Sequence, residues 1–345
     1  MIKALAVTAA ISGFLAVGAA AQETRTDALY KPGNSSIIGV NHVGMSVKDL
    51  DAAKEFYAGS FGLEAVGAQK DVSPALRSAV GGSDLPAAML QLRGPNSFLK
   101  LMAFEGSQHA GDNSLQPQGP GITHICFIAP KTKPIDGKAV GAGATWVSTS
   151  KAMVDMRGVG YMYGYLRDPD GLMFEIEHNP DPNMNIDVWM GHVALATHDL
   201  TATMEFYSKL LGFEAYRRVD NIKGPTFDLV GGLEGGVLHG AWFRLAPFYN
   251  LEFWEYAKPR TEAAEEPVAL NEIGYNLIAL ESNDIAADAA RLKAAGIDTL
   301  TGVVAVEDGR AIFLRDPDGN LLSITEFNEG SALSLTALPM FERRQ

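Results

Sequence analysis

His42, His124 and Glu175 are the side chains of this sequence most suited to share a metal ion. In His124-Ile125-Cys126-Phe127-Ile128 one strand face carries His124 and Cys126 and the other Ile125 and Phe127. In Met173-Phe174-Glu175-Ile176-Glu177 the two glutamates likewise oppose Phe174 and Ile176. An apolar face packs under a helix, so His124 and Glu175 point the other way, into a curved sheet. A carboxylate buried there is costly unless a cation or a donor meets it. Two neutral imidazoles and one carboxylate on a divalent ion leave one net positive charge and open coordination positions. Such a centre can chelate an anionic substrate through two neighbouring oxygens. Each residue also has a plain structural reading: a strand histidine as a satisfied core residue, Glu175 as an exposed strand residue, Asp168-Pro169-Asp170-Gly171 as a tight turn. It is the joint pattern that points to a metal.

The elements that must hold these groups come in repeats. At a fixed offset of 150, His42/His192, Asp49/Asp199, Leu50/Leu200, Glu55/Glu205, Phe56/Phe206, Tyr57/Tyr207, Gly62/Gly212 and Glu64/Glu214 match. The turn at Leu166–Gly171 recurs as Leu314–Gly319. His42 to Val47 alternates as a strand, and Asp49 can cap a helix ended by Gly62, with Leu50, Ala53 and Tyr57 on one face. Phe98–Phe104 reads as a later strand, and a second helix is expected at Asp284–Ala295, closed by Gly296. The result is an α+β chain of four βαβββ modules, near 38–105, 120–178, 188–257 and 272–328, joined by linkers rich in Pro, Gly and polar residues.

Composition narrows the partners. The 345 residues are 47% hydrophobic and 20% charged, which fits two ordinary globular domains. A net charge of −13 works against nucleic acid, since a phosphate backbone calls for a basic footprint. The single cysteine, Cys126, excludes an intramolecular disulfide and a thiolate zinc cluster, and Ile125-Cys126-Phe127 reads as a buried small hydrophobe. Residues 1–21 combine Lys3, an apolar run from Ala4 to Val17 and Ala19-Ala20-Ala21, the pattern of a secretory signal peptide. That run is shorter than the roughly 20 residues of a spanning helix. Export to the periplasm or medium is expected, with no membrane contact after cleavage. Residues 22–37 read as a flexible lead-in and 329–345 as a C-terminal tail.

Four such modules, a histidine on opening strands and a closing Asp-Pro-Asp-Gly-x-x-x-Glu resemble the vicinal oxygen chelate superfamily, which includes glyoxalase I, extradiol dioxygenases, methylmalonyl-CoA epimerase and bleomycin-resistance proteins. The resemblance implies two half-barrel domains, 38–178 and 188–328, each of two modules. It implies a divalent metal, with Fe(II) or Mn(II) favoured and Zn or Ni as alternatives, and a small-molecule substrate; a homodimer is an open alternative. In the second copy His192 is present, but the His124 position becomes Tyr275 and the Glu175 position Ser323.

Two modules close one site, and the family pairs them in more than one way. Sequential pairing joins modules one and two and gives His42, His124 and Glu175, a three-ligand centre as in extradiol dioxygenases. Lys100 then lies where glyoxalase-like members have an inward glutamate, and as an ammonium it would meet an anionic substrate or an acidic neighbour. Crossed pairing joins modules two and three and gives His124, Glu175, His192 and Glu252, a set as in glyoxalase I, leaving His42, Lys100, Tyr275 and Ser323 to the other barrel. Sequential pairing is the expectation.

The spacing from Tyr165 through Asp168-Pro169-Asp170-Gly171 to Glu175 matches the extradiol signature, in which this tyrosine sits beside the substrate hydroxyl. The upstream histidine of that signature is missing; Asp155, Met156, Arg157 and Gly158 stand there. Three functions therefore stay open: a dioxygenase-like metal enzyme, which is favoured, a glyoxalase- or epimerase-like lyase or isomerase, and a non-catalytic small-molecule binder. Tyr161, Trp242, Phe248 and Trp254 either line an apolar pocket or belong to the core.

Overall fold

In the computed structural model, residues 22–25, 34–79, 87–105, 116–182, 184, 186–245 and 248–342 are described. The signal-peptide expectation for 1–21 lies outside them. A short strand, β1 (Gln22–Arg25), corrects part of the expected lead-in, because it adds antiparallel to a sheet edge.

Module one contains β2 (Ile37–Ser46), α1 (Leu50–Phe61), β3 (Glu64–Asp71), α2 (Pro74–Ala79), β4 (Ala87–Arg93) and β5 (Phe98–Phe104). Module two contains β6 (Gly121–Pro130), α3 (Asp136–Gly141), β7 (Thr145–Trp146), β8 (Val154–Asp155), β9 (Met162–Arg167) and β10 (Met173–Asn179). Module three contains β11 (Trp189–Ala196), α4 (Leu200–Leu211), β12 (Arg217–Ile222), α5 (Pro225–Gly231), β13 (Val237–Leu245) and β14 (Tyr249–Lys258). Module four contains β15 (Gly274–Ser282), α6 (Ile285–Ala294), β16 (Val304–Val306), β17 (Gly309–Arg315) and β18 (Leu321–Phe327). A 3-10 turn at Leu335–Ala337 and α7 (Pro339–Glu342) form the tail. Among the described residues no helix is long and apolar enough to cross a membrane.

The helix boundaries follow their capping chemistry. Asp49 accepts from the backbone N–H groups of Asp51 and Ala52, and Gly62 ends α1 at a φ of 71°. Asp199 and Gly212 do the same for α4, and Asp284 caps α6.

The pairing of the modules differs from the sequential expectation. One sheet runs β1-β12-β13-β14-β11-β6-β10-β9-β7, with β8 beside β9, and joins modules two and three. The other runs β16-β17-β18-β15-β2-β5-β4-β3 and joins modules one and four. Contiguous modules meet in another way, helix on sheet. Phe61 of α1 stacks on Phe127 of β6 at 3.8 Å, and Phe56 meets Phe174 edge-on at 5.9 Å. Apolar residues from all four modules form this shared core, while separate clusters line the concave face of each half-barrel. Strand parity is satisfied by either pairing, which is why the sequence could not choose between them.

Candidate metal site

Register alone puts four donors on one concave surface. Across β6 and β11, His124 faces Ala194 and Cys126 faces His192. Glu175 on β10 pairs with Cys126 on one side and Tyr165 on the other. Glu252 on β14 pairs with Ala194. A bulge at Gly191 turns His192 inward, and a Cβ at that position would meet Ile128 Cδ1 at 2.4 Å, so a side chain there would require Ile128 to shift.

The donor atoms converge. His192 Nε2 lies 3.3 Å from His124 Nε2 and 3.0 Å from Glu175 Oε2. His124 Nε2 is 3.6 Å from Glu175 Oε2, and His192 Nε2 is 3.8 Å from Glu252 Oε1. All four residues are buried. The Thr123 hydroxyl donates to Ala194 O, so it accepts from His124 Nδ1, which leaves a lone pair on the inward Nε2. Glu252 is the most firmly held: Trp242 Nε1 and Trp254 Nε1 each donate to one of its oxygens at 2.5 Å.

The charges call for a cation. Burial alone would raise the Glu175 carboxyl, but the imidazoles of His124 and His192 beside it outweigh that and hold Glu175 below its ordinary value. Burial would lower His192, yet Glu252 and Glu175 push it up to about 9. The cluster thus binds a proton where a divalent ion would bind, and two nitrogen and two carboxylate donors suit such an ion. The residues fit the metal that the family resemblance implies.

His42 is not among them. It sits on β2 of the other half-barrel, with Lys100 diagonal to it on β5, so the expected His42/His124/Glu175 grouping is corrected to one that contains His192. The physical reason is the crossed sheet: β6 hydrogen-bonds to β11 rather than to β2. A second correction concerns the partner of His124 in module four. Leu277 faces Gly44 as His124 faces Ala194, and Tyr275 instead donates to Met173 O at 2.8 Å in the shared core. Both half-barrels carry a bulge at this point, skipping Thr123 between Ile122 and His124 and Asn276 between Tyr275 and Leu277, so Tyr275 is the equivalent of Ile122. Ser323, paired with Ala279 as Glu175 is with Cys126, keeps the position expected for it.

Tyr165 lies within the site, its ring 4.8 Å from that of His124. Glu177 and Cys126, not expected as functional, are within reach of the same ion: their donor atoms and those of Glu175 and His192 lie within 4.8 Å of one another. Both share strand faces with the ligands, and that parity was the available signal. Burial, then the charge of Glu175, raises Glu177 to about 8, and Tyr161 donates to it at 2.6 Å. Burial pushes the Cys126 thiol up, which keeps it protonated. Trp242 and Trp254 are buried second partners of Glu252, whereas Phe248 is exposed at the β13–β14 turn. Asp155 is committed to its own loop, accepting from the backbone of Arg157, Val159 and Gly160.

Beside Glu175 lies a cavity of about 30 Å³, lined by Tyr165, Trp254, Tyr256 and, from the α5 side, Phe227 and Val230. That is room for a water or two.

A model of the glyoxalase/bleomycin resistance protein/dioxygenase superfamily matches residues 39–176 and 189–324. An ethylmalonyl-CoA/methylmalonyl-CoA epimerase of Cereibacter sphaeroides is 30% identical over 140 residues, 40% of this chain and 96% of its own length. A lactoylglutathione lyase of Arabidopsis thaliana is 25% identical over 224 residues, 63% of this chain and 69% of its own. Among solved structures, glyoxalase I from Zea mays superposes with a TM-score of 0.56 at 19% identity, covering 84% of this chain and 92% of that one. A putative dioxygenase from Bacillus subtilis gives 0.58 at 15% identity, covering 88% and 91%. These two likenesses concern the fold.

Proposed function

Because the chain belongs to the glyoxalase/bleomycin resistance protein/dioxygenase superfamily, we propose that it is a metal-dependent lyase or isomerase that moves a proton on a carbon beside a carbonyl or hydroxyl group. The observation that carries this reading is the convergence of His124, His192, Glu175 and Glu252 from modules two and three. A divalent cation held by these residues supplies charge stabilisation at two neighbouring substrate oxygens. Glu252 has both oxygens taken by indoles and is held in place. Glu175 is the freer carboxylate, held by no indole, and its side chain borders the small cavity beside Tyr165, so it is the group to accept the proton once substrate is admitted there. Tyr165 and Trp254 line the same cavity and exclude bulk water from that transfer. The relatives named as epimerase and lactoylglutathione lyase support the reaction class, and the substrate is left at a small molecule with adjacent oxygens.

A dioxygenase-like reaction is the second reading. Two observations favour it: the commitment of Glu252 to two tryptophans leaves His124, His192 and Glu175 as a two-histidine, one-carboxylate set, and Tyr165 stands beside it. Export is proposed on the leader sequence alone, and N-terminal sequencing of the mature protein checks it.

Elemental analysis of purified protein, with His42→Ala, His192→Ala and Glu175→Gln variants, tests the site. Metal should be lost from the second and third and kept in the first; loss in His42→Ala with retention in His192→Ala sinks the proposal. Deuterium exchange at a carbon beside a carbonyl supports the isomerase class, and oxygen consumption with a catechol supports its rival.

A further inference from the structure

The second half-barrel has shed the donor set, with His42, Lys100, Leu277 and Ser323 at the four equivalent positions, yet it is not a plain core. Three polar groups on three adjacent strands share its concave face with their bonding unmet. Lys100 on β5 lies between Gln91 on β4 and Gly44 on β2, and His42 is two residues before Gly44 on the same face.

Their bonding capacities can be read. Asn41 Nδ2 donates to Glu281 Oε2 and to Leu333 O, both at 2.8 Å, which fixes the amide so that Oδ1 is its acceptor. His42 Nδ1, 2.7 Å from that oxygen, therefore carries the proton. Its Nε2 is a lone-pair acceptor, buried and without a partner. Gln91 Nε2 is a buried donor, also without a partner. Lys100 has no hydrogen bond or ion pair among the described residues, and burial lowers its ammonium to about 8, against the pull of Glu307. At neutral pH it is mostly charged. Around them Met102, Phe104, Leu277, Phe313 and Leu321 form an apolar wall. Ala75 and Val306 pack against that wall and also line a surface groove of about 730 Å³.

A cationic donor, a neutral donor and one acceptor on an apolar wall specify a ligand. Two acceptor oxygens bearing negative charge answer Lys100 and Gln91, and a hydroxyl donor answers His42. A simple fatty acid leaves Nε2 unmet, at the cost of a buried unsatisfied group, and a neutral alcohol leaves the ammonium without a counter-charge. We infer that the second half-barrel is a separate binding site for a short 2-hydroxy acid with an apolar tail, its carboxylate on Lys100 and Gln91 and its hydroxyl on His42.

Titration calorimetry of the full chain with 2-hydroxyhexanoate and with hexanoate tests this. One molecule of 2-hydroxyhexanoate should bind per chain, and Lys100→Met should weaken it at least tenfold. His42→Phe should reduce 2-hydroxyhexanoate to the affinity of hexanoate and leave hexanoate unchanged, which also shows that the variant is folded. Glu175→Gln, in the other half-barrel, should leave both affinities as they are. No binding at millimolar ligand, unchanged binding in Lys100→Met, or a loss confined to Glu175→Gln overturns the inference.

Discussion

Tyr57 donates its phenolic hydrogen to Asp168 Oδ2 at 2.9 Å, from the helix of module one to the closing turn of module two. Tyr207 repeats the bond to Asp316 at 3.0 Å, from module three to module four. Together with the aromatic stack of Phe61 on Phe127, this contact shows what binds contiguous modules when their sheets are joined elsewhere. The first Asp of each Asp-Pro-Asp-Gly turn thus does more than shape the turn. It accepts from two backbone N–H groups of its own turn and anchors the neighbouring helix.

That anchoring predicts a pH dependence. Burial raises the Asp168 carboxyl to about 6, despite the hydrogen bonds from Tyr57 and the backbone. An unfolded aspartate titrates near 3.9, so the folded state holds the proton more tightly. The stabilising contribution is therefore complete below about pH 4, declines as pH rises to about 6 and is absent above it, a change of about 3 kcal/mol by linkage. Asp168→Asn cannot ionise. Its stability relative to the parent should improve by up to about 3 kcal/mol between pH 4 and pH 7, measured by urea unfolding at both. A difference independent of pH would count against it.

Trp242 and Trp254 predict a second effect, on metal affinity. Each indole N–H binds one oxygen of Glu252 at 2.5 Å, so Trp254→Phe removes the donor while keeping an aromatic ring, and leaves a small cavity where the rest of the indole lay. A partner of this kind typically changes metal affinity by about 10–100-fold. Competition with a chelator should show a loss in that range for Trp254→Phe and for Trp242→Phe, with the cost of the cavity read separately from the melting temperature at saturating metal. If the metal is held by His124, His192 and Glu175 without Glu252, the affinity will not change.

Removal of the metal supplies a third. A ligand that binds only the folded chain stabilises it by about 2.7 kcal/mol at 100 times its dissociation constant. Dialysis against a chelator should lower the melting temperature by several degrees, and re-addition of metal should restore it. His192→Ala should abolish that response and His42→Ala should keep it, since only the former lies in the donor cluster.

The sequence made the modules, helix caps and inward parity of His124 and Glu175 legible, because each depends on local spacing. Asp49, Gly62, Asp199 and Gly212 stand where helix termini require them. Which strand lies beside β6 is a different kind of question. β2 and β11 carry nearly the same pattern around His42 and His192, so nothing within either strand distinguishes them as partners. The bulge at Gly191, where a Cβ would strike Ile128, was present in the sequence but acquires meaning only once β11 and β6 are adjacent. The same limit hid Leu277: the register that aligns it with His124, and Tyr275 with Ile122, is set only by the pairing of β15 with β2. Trp242 and Trp254 looked like core residues because their hydrogen-bonding partner, Glu252, belongs to a site that crossed pairing creates.

The cavity beside Glu175 predicts that α5 must move. About 30 Å³ does not admit an organic substrate, and Phe227 and Val230 of α5 form part of its wall. Gly224 and Gly232, at φ of 138° and 69°, flank the helix with backbone geometry that favours glycine. Two bonds tie it to module two: Ser148 Oγ donates to Val230 O at 2.7 Å, and Thr149 N donates to Leu229 O at 3.0 Å. Ser148 Oγ also accepts from Tyr165 N, which links the tether to the site tyrosine. Loss of a buried hydrogen bond is worth about 1 kcal/mol, so Ser148→Ala should populate the open helix about fivefold more. Hydrogen exchange of a peptide spanning 225–236 should accelerate by that factor in Ser148→Ala, while the exchange of β6 stays unchanged. Equal exchange in parent and variant would mean that α5 is not held by Ser148 and that substrate enters by another route.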